Sequence, residues 1–353
     1  MSPGACGLRS SIWVSSSGVL NFRRSWSAIR HSMRASAKLG GMGSDEAKYR
    51  RAERRLWDSV GLEPSEHRLH LQNLDVTVRV QEIGEGPPVV LIHGGSVAGT
   101  SWANLVQGLS GFRCIMLDRP GCGLSDPMPG DAGKADIEAV KRAGDLLIPD
   151  LLDALGLPSA DVLGTSFGGF FALRAAAAAP ERIGRVVLYS WSMGVPMDHT
   201  PLVMRFAGIP GIGQMTARMP ISRAGAKLML RQIGLKGAVD SGKFNAEMLD
   251  WFVALLRFTP TLLNEIRSTP KVITPVKGLN EAMLFTDDVL ARVASPTYCF
   301  WGEDDPNGGA ETAKQFVARL PNCTLELVPH AGHAPWIDEP DRATASTRAF
   351  LNG

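Results

Sequence analysis

Short, mostly apolar segments alternate with helix-like patterns along most of this chain. A strand with apolar residues on both sides must be buried on both faces, as in parallel sheets covered by helices. The alternation therefore predicts an α/β fold, with a mostly parallel, twisted sheet and helices on both faces. The apolar segments are Val89–Ile92, Cys114–Leu117, 161–164, 185–190, 297–301 and 324–328.

The alternation is interrupted once, over residues 192–290, where the periodicity is helical and eight of the thirteen methionines occur. The interruption lies between two strands of one sheet. We therefore predict a helical lid (192–290) above the carboxyl edge of a core formed by 45–191 and 291–353, because open α/β sheets bind ligands at that edge. Six methionines either line an adaptable apolar pocket or pack the lid's own helices: Met193, Met197, Met204, Met215, Met219 and Met229.

The first 44 residues differ in composition from the rest, with eleven serines, six Lys or Arg and no Asp or Glu. Such a composition is typical of a mitochondrial transit peptide. We favour the simpler explanation that translation starts at Met33 or Met42. In either case we expect residues 1–44 to be disordered or non-native and to carry none of the chemistry, so that a chain of 45–353 keeps its activity.

Charge and cysteine content argue against several classes of function. The net charge is +2 with six cations in the first 44 residues, so the remainder is net negative and lacks the basic footprint of a nucleic-acid-binding protein. No stretch approaches the 18 or so apolar residues of a membrane span. The five cysteines form no Cys-x-x-Cys pair, so neither a disulfide framework nor a zinc site is predicted. We expect a cytoplasmic protein without metal or cofactor, or a mitochondrial one if the N-terminal segment is a transit peptide.

The segment Gly164–Gly168, Gly-Thr-Ser-Phe-Gly, joins a predicted strand to an Ala-rich helix. A strand that turns directly into a helix strains its central residue and leaves room only for small neighbours two positions away. Ser166 would then project at the helix N-terminus, where the helix dipole favours negative charge. We identify Ser166 as the candidate nucleophile.

Two backbone N–H groups are candidates for an oxyanion hole. The first belongs to Gly95, in the Gly-rich loop His93-Gly94-Gly95 that follows a strand. Such a loop can direct an N–H group at developing negative charge. The second belongs to Phe167, directly after Ser166. We place His93 and Gly94 in the substrate pocket.

A serine hydroxyl needs a base to remove its proton, and a histidine base needs a carboxylate to hold its tautomer. His330 and His333 follow the last predicted strand, and we choose His333 because Gly332 lets its loop turn toward the site. Three carboxylates follow the preceding strand, and their positions do not by themselves separate them: Glu303, Asp304 and Asp305.

These motifs together resemble the α/β-hydrolase superfamily over residues 68–352. Besides the loop at 93–95 and the elbow at 164–168, they comprise Asp-x-Pro-Gly-x-Gly-x-Ser at 118–125, Pro-Glu-Arg-Ile at 180–183, Trp-Gly-x-x-Asp at 301–305 and Gly-His at 332–333. The resemblance implies an α/β-hydrolase fold and an acid three residues after Gly302, hence Asp305. It also implies the chain order of nucleophile, acid and histidine found here.

A serine at the elbow disfavours the dehalogenase and epoxide hydrolase branches, whose nucleophile is Asp. The resemblance then implies acyl transfer to water by a carboxylesterase-like enzyme acting on an ester or thioester of a small, largely apolar acyl group. Meta-cleavage product hydrolases, which break C–C bonds, are the alternative. They share a Gly-rich loop and a nearby Asn, here Asn104, but the Trp that follows their catalytic His is Ala334 here, with Trp336 two residues further.

A non-catalytic ligand receptor on the same fold is an alternative of another class, because fold alone does not fix function. An intact Ser166, Asp305 and His333 set disfavours it. The expected partner is a small-molecule substrate that contacts Asn104 and Trp336, and the sequence does not indicate an oligomeric state.

Overall fold

A computed structural model describes residues 43–129, 136–201, 204–205, 209, 211–274, 276 and 278–353, without the side chains of 212, 216 and 268–270. The chain divides into two units, Met1–Ala47 and Lys48–Gly353. In the first unit, residues 43–47 are helical. The predicted disorder of residues 1–44 therefore lies outside the described residues, apart from 43–44, which are helical.

The main sheet has eight strands in the order β1-β2-β4-β3-β5-β6-β7-β8. β2 runs antiparallel to β1 and β4, and β3 to β8 are parallel to one another. This arrangement confirms the predicted mostly parallel sheet. The strands are β1 (Ser65–Leu71), β2 (Val76–Ile83), β3 (Pro88–Ile92), β4 (Arg113–Leu117), β5 (Ala160–Ser166), β6 (Ile183–Ser192), β7 (Thr297–Gly302) and β8 (Cys323–Val328).

Most helices outside the interruption connect successive strands. α1 covers residues 43–59. The others are α2 (Ala103–Val106), α3 (Ile137–Leu155), α4 (Phe167–Ala178), α11 (Ala310–Val317), α12 (Pro335–Asp338) and α13 (Pro340–Asn352), with 3₁₀ turns at Gly99–Trp102 and Pro180–Arg182.

Alternate residues of the central strands face opposite sides of the sheet and enter two separate apolar clusters. In β3, Val90 and Ile92 pack in the cluster that contains α3, α4 and α11, whereas Val89 and Leu91 pack in the cluster that contains α2, α12, α13 and the part of α1 from Tyr49 onward. All four side chains are fully buried. Burial on both faces explains why these strands are apolar throughout, and it confirms helices on both sides of the sheet.

The chain between β6 and β7 is mostly helical, and we call residues 192–290 the insertion. Its N-caps include Ser222 and Asn245, whose side chains accept hydrogen bonds from the backbone N–H groups of Gly225 and Met248. A short antiparallel ladder pairs Ile273–Thr274 with Gly278–Leu279. The helices are α5 (Ile212–Thr216), α6 (Arg223–Leu230), α7 (Lys236–Ser241), α8 (Ala246–Phe258) and α9 (Thr261–Val272), with a π-helical turn at Arg231–Leu235; a 3₁₀ turn at Glu281–Met283 and α10 (Asp287–Ala291) lead toward β7.

The parallel strands direct several loops to one edge of the sheet. β3, β5, β7 and β8 end at Ile92, Ser166, Gly302 and Val328 respectively. The loops that follow carry most of the candidate site residues, which explains how segments far apart in sequence come together. Across the residues that the structure describes, no helix is both long and apolar enough to cross a bilayer.

Candidate active site

Ser166 lies at a strained turn between β5 and α4. It ends the strand, caps the helix and has φ 53° and ψ −119°. A non-glycine residue held in a sparsely populated backbone region costs roughly 1–3 kcal/mol, and such strain is concentrated at functional sites. The turn places Ser166 at the wall of a large cavity. This geometry is the one expected for a nucleophile elbow.

The small residue two positions after Ser166 is required by close backbone packing. A Cβ atom on Gly168 would collide with the carbonyl oxygen of Ile92 in the neighbouring strand. The Ser166 side chain makes no capping hydrogen bond to α4. Because the first N–H groups of a helix have no partner within the helix, the N–H of Phe167 is available to an anion at this end.

Asp305 and His333 meet where the loops after β7 and β8 approach each other. The Nδ1 atom of His333 lies 2.7 Å from Oδ2 of Asp305. The backbone N–H of Trp191 donates to the same oxygen at 3.0 Å. The Asp305 side chain is fully buried, whereas the His333 side chain is 12% exposed and borders the cavity. The neighbouring Asp304 is exposed, so the contact expected of Asp305 is made by Asp305.

Asn307 is a member of this group that the sequence analysis missed. Its backbone N–H and its side-chain Nδ2 donate to Oδ1 of Asp305 at 2.9 and 3.1 Å. The same Nδ2 lies 3.1 Å from Nδ1 of His333. Asn307 also borders the cavity. Asn307 could have been predicted from its position two residues after the candidate acid in the same loop, because amide side chains in loops often bond to nearby groups.

The loop that carries His333 is anchored to the insertion. The backbone N–H of His333 donates to the carbonyl oxygen of Gly234 at 2.9 Å. On the other side, the N–H of Gly332 donates to Oδ2 of Asp338 at 2.8 Å, and burial raises the pKa of the Asp338 carboxyl. These two contacts fix the loop at its base, while His330 is exposed.

Replacing Gly234 by Ala should lower kcat by about 10-fold or more. Gly234 has φ +98°, and a Cβ atom there would lie 2.6 Å from Cβ of His333. A displacement of about 1 Å at a catalytic group can cost about 10²-fold in rate. Gly242→Ala is the matched control, because Gly242 has φ +79° but nothing within 4 Å of the added atom. An equal loss of kcat in the two variants would show that backbone strain, and not displacement of His333, causes the loss.

The His93 side chain does not lie in the substrate pocket, contrary to the prediction. It is fully buried. Its Nε2 accepts a hydrogen bond from the backbone N–H of Arg119 at 2.9 Å, so its proton is on Nδ1, which donates to the carbonyl oxygen of Gly94 at 2.7 Å. Burial and the adjacent Arg119 charge hold the His93 pKa well below its usual value. The ring is therefore neutral and supports the loop from beneath.

The cavity has a volume of about 770 Å³ and is bordered by Gly94, Gly95, Ser166, Phe167 and His333. Within the described part of the chain no hydrogen bond joins the Ser166 hydroxyl to His333. Such contacts are often loose in the absence of substrate. Most of the remaining wall is apolar and includes Trp336, one of the residues predicted for the substrate pocket, together with Trp191, Trp251, Phe244, Phe252, Leu262, Ile233 and Ile266.

One further pocket prediction is corrected by the structure, and the methionines, for which two alternatives were left open, differ from one another. Asn104 borders a different cavity, beside Val60 and Gln107, and its Nδ2 lies 3.4 Å from Sδ of Met248. Met215 and Met219 are 64% and 66% exposed, so they do not line the active-site cavity. The methionines that do border it are Met193, Met197, Met204, Met229 and Met248.

Among the side chains that border the cavity in the described residues, Glu265 is the only one from Asp, Glu, Lys or Arg. It lies on α9, and its Oε1 accepts a hydrogen bond from Nη2 of Arg119 at 2.9 Å. Sequence patterns do not indicate this residue, because its hydrogen bonds to Arg119, Cys122 and Ser96 join segments more than 140 residues apart. The same described residues contain no group of three or more His, Cys, Asp or Glu side chains suited to a metal ion.

Comparisons with curated proteins find hydrolases of meta-cleavage products. A 2-hydroxy-6-oxononadienedioate/2-hydroxy-6-oxononatrienedioate hydrolase from Pseudomonas putida is 26% identical over 283 residues, which cover 76% of this chain and 90% of that protein. A 2-hydroxy-6-oxo-6-phenylhexa-2,4-dienoate hydrolase from Burkholderia cepacia is 24% identical, over 78% of this chain and 91% of that protein.

Solved structures of two kinds share the fold. A carboxylesterase from Bacillus subtilis superposes with a TM-score of 0.68 at 19% identity, over 87% of this chain and 98% of its own. A 2-hydroxy-6-oxo-6-phenylhexa-2,4-dienoate hydrolase from Rhodococcus superposes with a TM-score of 0.65 at 19% identity, over 82% and 99%. A model of the α/β hydrolase family matches residues 89–347. The chain belongs to the α/β hydrolase family, as its sheet and the sequence motifs on it indicated.

Proposed function

We propose that this α/β hydrolase cleaves an ester or thioester of a small, largely apolar acyl group through a covalent acyl-enzyme. The observation that carries the proposal is that a strained Ser166 and a His333 paired with Asp305 at 2.7 Å border one apolar cavity. This is the combination of nucleophile, base and orienting acid that acyl transfer requires.

In the proposed acylation step, Ser166 Oγ attacks the carbonyl carbon of the substrate and His333 Nε2 accepts the hydroxyl proton. The negative charge that develops on the carbonyl oxygen is stabilised by the N–H groups of Gly95 and Phe167. His333 then returns the proton to the leaving alcohol or thiol as its bond to the acyl carbon breaks. Asp305, whose Oδ2 contacts Nδ1 of His333, stabilises the imidazolium between these two events.

In the proposed deacylation step, a water molecule replaces the leaving group. His333 takes a proton from the water, whose oxygen attacks the acyl carbon, and the same two N–H groups bind the second oxyanion. Collapse of this intermediate breaks the bond to Ser166 Oγ, which recovers its proton from His333. The products are the carboxylic acid and the free enzyme.

The charge at the cavity wall favours a neutral substrate. Glu265 borders the cavity, and Arg119 offsets part of its negative charge. Like charges repel each other, and the repulsion is stronger where a cavity excludes water than in bulk water. A substrate carboxylate in this cavity would therefore be disfavoured, which supports a neutral ester over an anionic dienoate.

Hydrolysis of a C–C bond is the second candidate, and the names of the curated relatives support it. Wild-type enzyme should hydrolyse p-nitrophenyl butyrate with a burst of p-nitrophenol, because a p-nitrophenyl ester acylates faster than the acyl-enzyme hydrolyses. We expect kcat/KM for this ester to exceed that for 2-hydroxy-6-oxo-6-phenylhexa-2,4-dienoate by about 10-fold or more, given the charge repulsion.

A reversed ratio would instead establish the C–C hydrolase. Turnover of neither compound, together with their reversible binding, would favour the ligand receptor. Glu265→Gln tests the charge argument directly: it should improve kcat/KM for the anionic dienoate relative to that for the neutral ester. An unchanged ratio would remove Glu265 as a determinant of substrate charge.

A further inference from the structure

A buried arginine lies beneath the loop that carries Gly95. We infer that Arg119, held by Glu265 of the insertion, is a positioning residue that directs the Gly95 N–H group into the cavity. This inference rests on the proposed function, because it assigns Gly95 the role of oxyanion donor. It adds that the oxyanion hole is set by an ion pair between the core and α9.

The direction of the Gly95 N–H group follows from the contacts of the preceding carbonyl. Nη2 of Arg119 donates to the carbonyl oxygen of Gly94 at 2.8 Å. Nδ1 of His93 donates to the same oxygen at 2.7 Å. In a trans peptide the C=O and N–H groups point in opposite directions, and the described chain contains no cis peptide. Holding the Gly94 oxygen toward Arg119 therefore turns the Gly95 N–H group away from Arg119.

The same guanidinium contacts other parts of the oxyanion hole. Its Nε atom donates to the carbonyl oxygen of His93 at 3.1 Å. Its Cζ atom lies 4.9 Å from the ring centroid of Phe167, whose backbone supplies the second candidate donor. Arg119 thus touches both segments whose N–H groups must converge on one oxygen atom. A planar group with several fixed donors suits this task, whereas the single ammonium of lysine does not.

Glu265 completes the arrangement from the side of the insertion. Its Oε1 lies 2.9 Å from Nη2 of Arg119. Its Oε2 accepts a hydrogen bond at 3.4 Å from the backbone N–H of Ser96, the residue that follows Gly95. The Arg119 side chain is only 5% exposed, so its charge needs a partner. The Gly94 carbonyl and the Ser96 N–H are thereby fixed on either side of Gly95.

The test compares Arg119→Lys, Arg119→Met and Glu265→Gln with wild type. Loss of one oxyanion donor typically lowers kcat by about 10²–10³-fold. We expect such a loss for Arg119→Met with p-nitrophenyl butyrate, a loss of about 10-fold or more for Arg119→Lys, and KM within about 3-fold for both, because the interaction acts in the transition state. Glu265→Gln should show a smaller loss in kcat of the same kind. Arg174→Lys is the control, because Arg174 forms its ion pair with Asp145, at 2.5 Å, and not with this loop.

A pair of inhibitors separates positioning of the oxyanion donor from general damage to the cavity. Ser166 Oγ adds to the carbonyl carbon of a butyl trifluoromethyl ketone, and the resulting oxyanion lies in the oxyanion hole. The corresponding methyl ketone binds without this covalent addition. In the Arg119 variants, Ki should rise for the trifluoromethyl ketone in proportion to the loss of kcat/KM and stay unchanged for the methyl ketone. Equal changes for both ketones, or none for either, would overturn the inference.

Crystal structures of Arg119→Met and Arg174→Lys test the same inference without reference to activity. The Gly94–Gly95 peptide should rotate in the arginine variant and keep its orientation in Arg174→Lys. If wild type fails to hydrolyse esters, or if Ser166→Ala retains the activity, the proposed function is wrong. Peptide orientation then decides the positioning role. An unrotated peptide in Arg119→Met with wild-type kcat would refute the inference alone.

Discussion

Ser166→Ala should lower kcat for p-nitrophenyl butyrate by about 10⁴-fold or more, because removal of a nucleophile leaves only binding and the oxyanion hole to accelerate the reaction. The variant keeps the turn at φ 53°, which alanine tolerates as serine does. Its melting temperature should therefore lie close to that of wild type, so that the loss reports on chemistry.

Two measurements control this result. Ser101→Ala removes a hydroxyl from another serine that borders the same cavity, and it should leave kcat within about 3-fold of wild type, as for substitutions that touch no reacting atom. Mass spectrometry of the quenched burst should find the butyryl group on Ser166. Near wild-type hydrolysis by Ser166→Ala would eliminate this serine as the nucleophile.

Asp305→Asn should lower kcat by about 10⁴-fold, the loss seen for the equivalent change in the serine protease triad. Both oxygens of Asp305 accept hydrogen bonds: Oδ1 from two N–H groups of Asn307, and Oδ2 from Trp191 and His333. Whichever way an asparagine amide is turned, its NH₂ group meets donors. The substitution therefore removes the charge that would stabilise the imidazolium in the proposed mechanism, and also the acceptor that fixes the tautomer of His333.

The adjacent Asp304 provides the matched control for this prediction. Asp304 is exposed, and its backbone N–H donates to the carbonyl oxygen of Ala331. Asp304→Asn should change kcat by less than about 3-fold, since exposed substitutions of this kind alter little. Thermal unfolding of both variants separates loss of catalysis from loss of fold. A comparable fall in kcat for Asp304→Asn would mean that the acid has been assigned to the wrong residue.

The parts of the molecule that were predictable from sequence are those set by local pattern. Runs such as Val89–Ile92 indicate strands buried on both faces, and parallel strands bring the loops at their ends to one edge. Ser166, Asp305 and His333 each follow or end such a strand, so their proximity follows from topology alone. The structure gives the distance between Asp305 and His333, whereas the catalytic roles of the three residues belong to the proposed function.

The pocket predictions were wrong where the position of a residue in the chain does not determine which way its side chain points. His93 was expected in the pocket, but its ring turns beneath the loop because the backbone N–H of Arg119 offers it a buried hydrogen bond. Asn104 was assigned to the pocket by resemblance to other enzymes, yet its side chain lies beside Val60. Gly234 and Glu265 were missed because their partners lie about 100 or more residues away. No periodicity or motif reports such contacts.

The core loops and the insertion contribute different parts of the cavity wall, and this difference bears on how such an enzyme could be re-engineered. Much of the apolar wall comes from the insertion, whereas Ser166, Asn307 and His333 come from the core. Exchange of the insertion for a foreign one would then change substrate range and leave the chemistry in place. Some residues of the insertion, however, bond directly to the core loops that form the site, and Gly234 and Glu265 are two of them. A productive chimera would have to supply a glycine with left-handed backbone and a carboxylate at these two junctions.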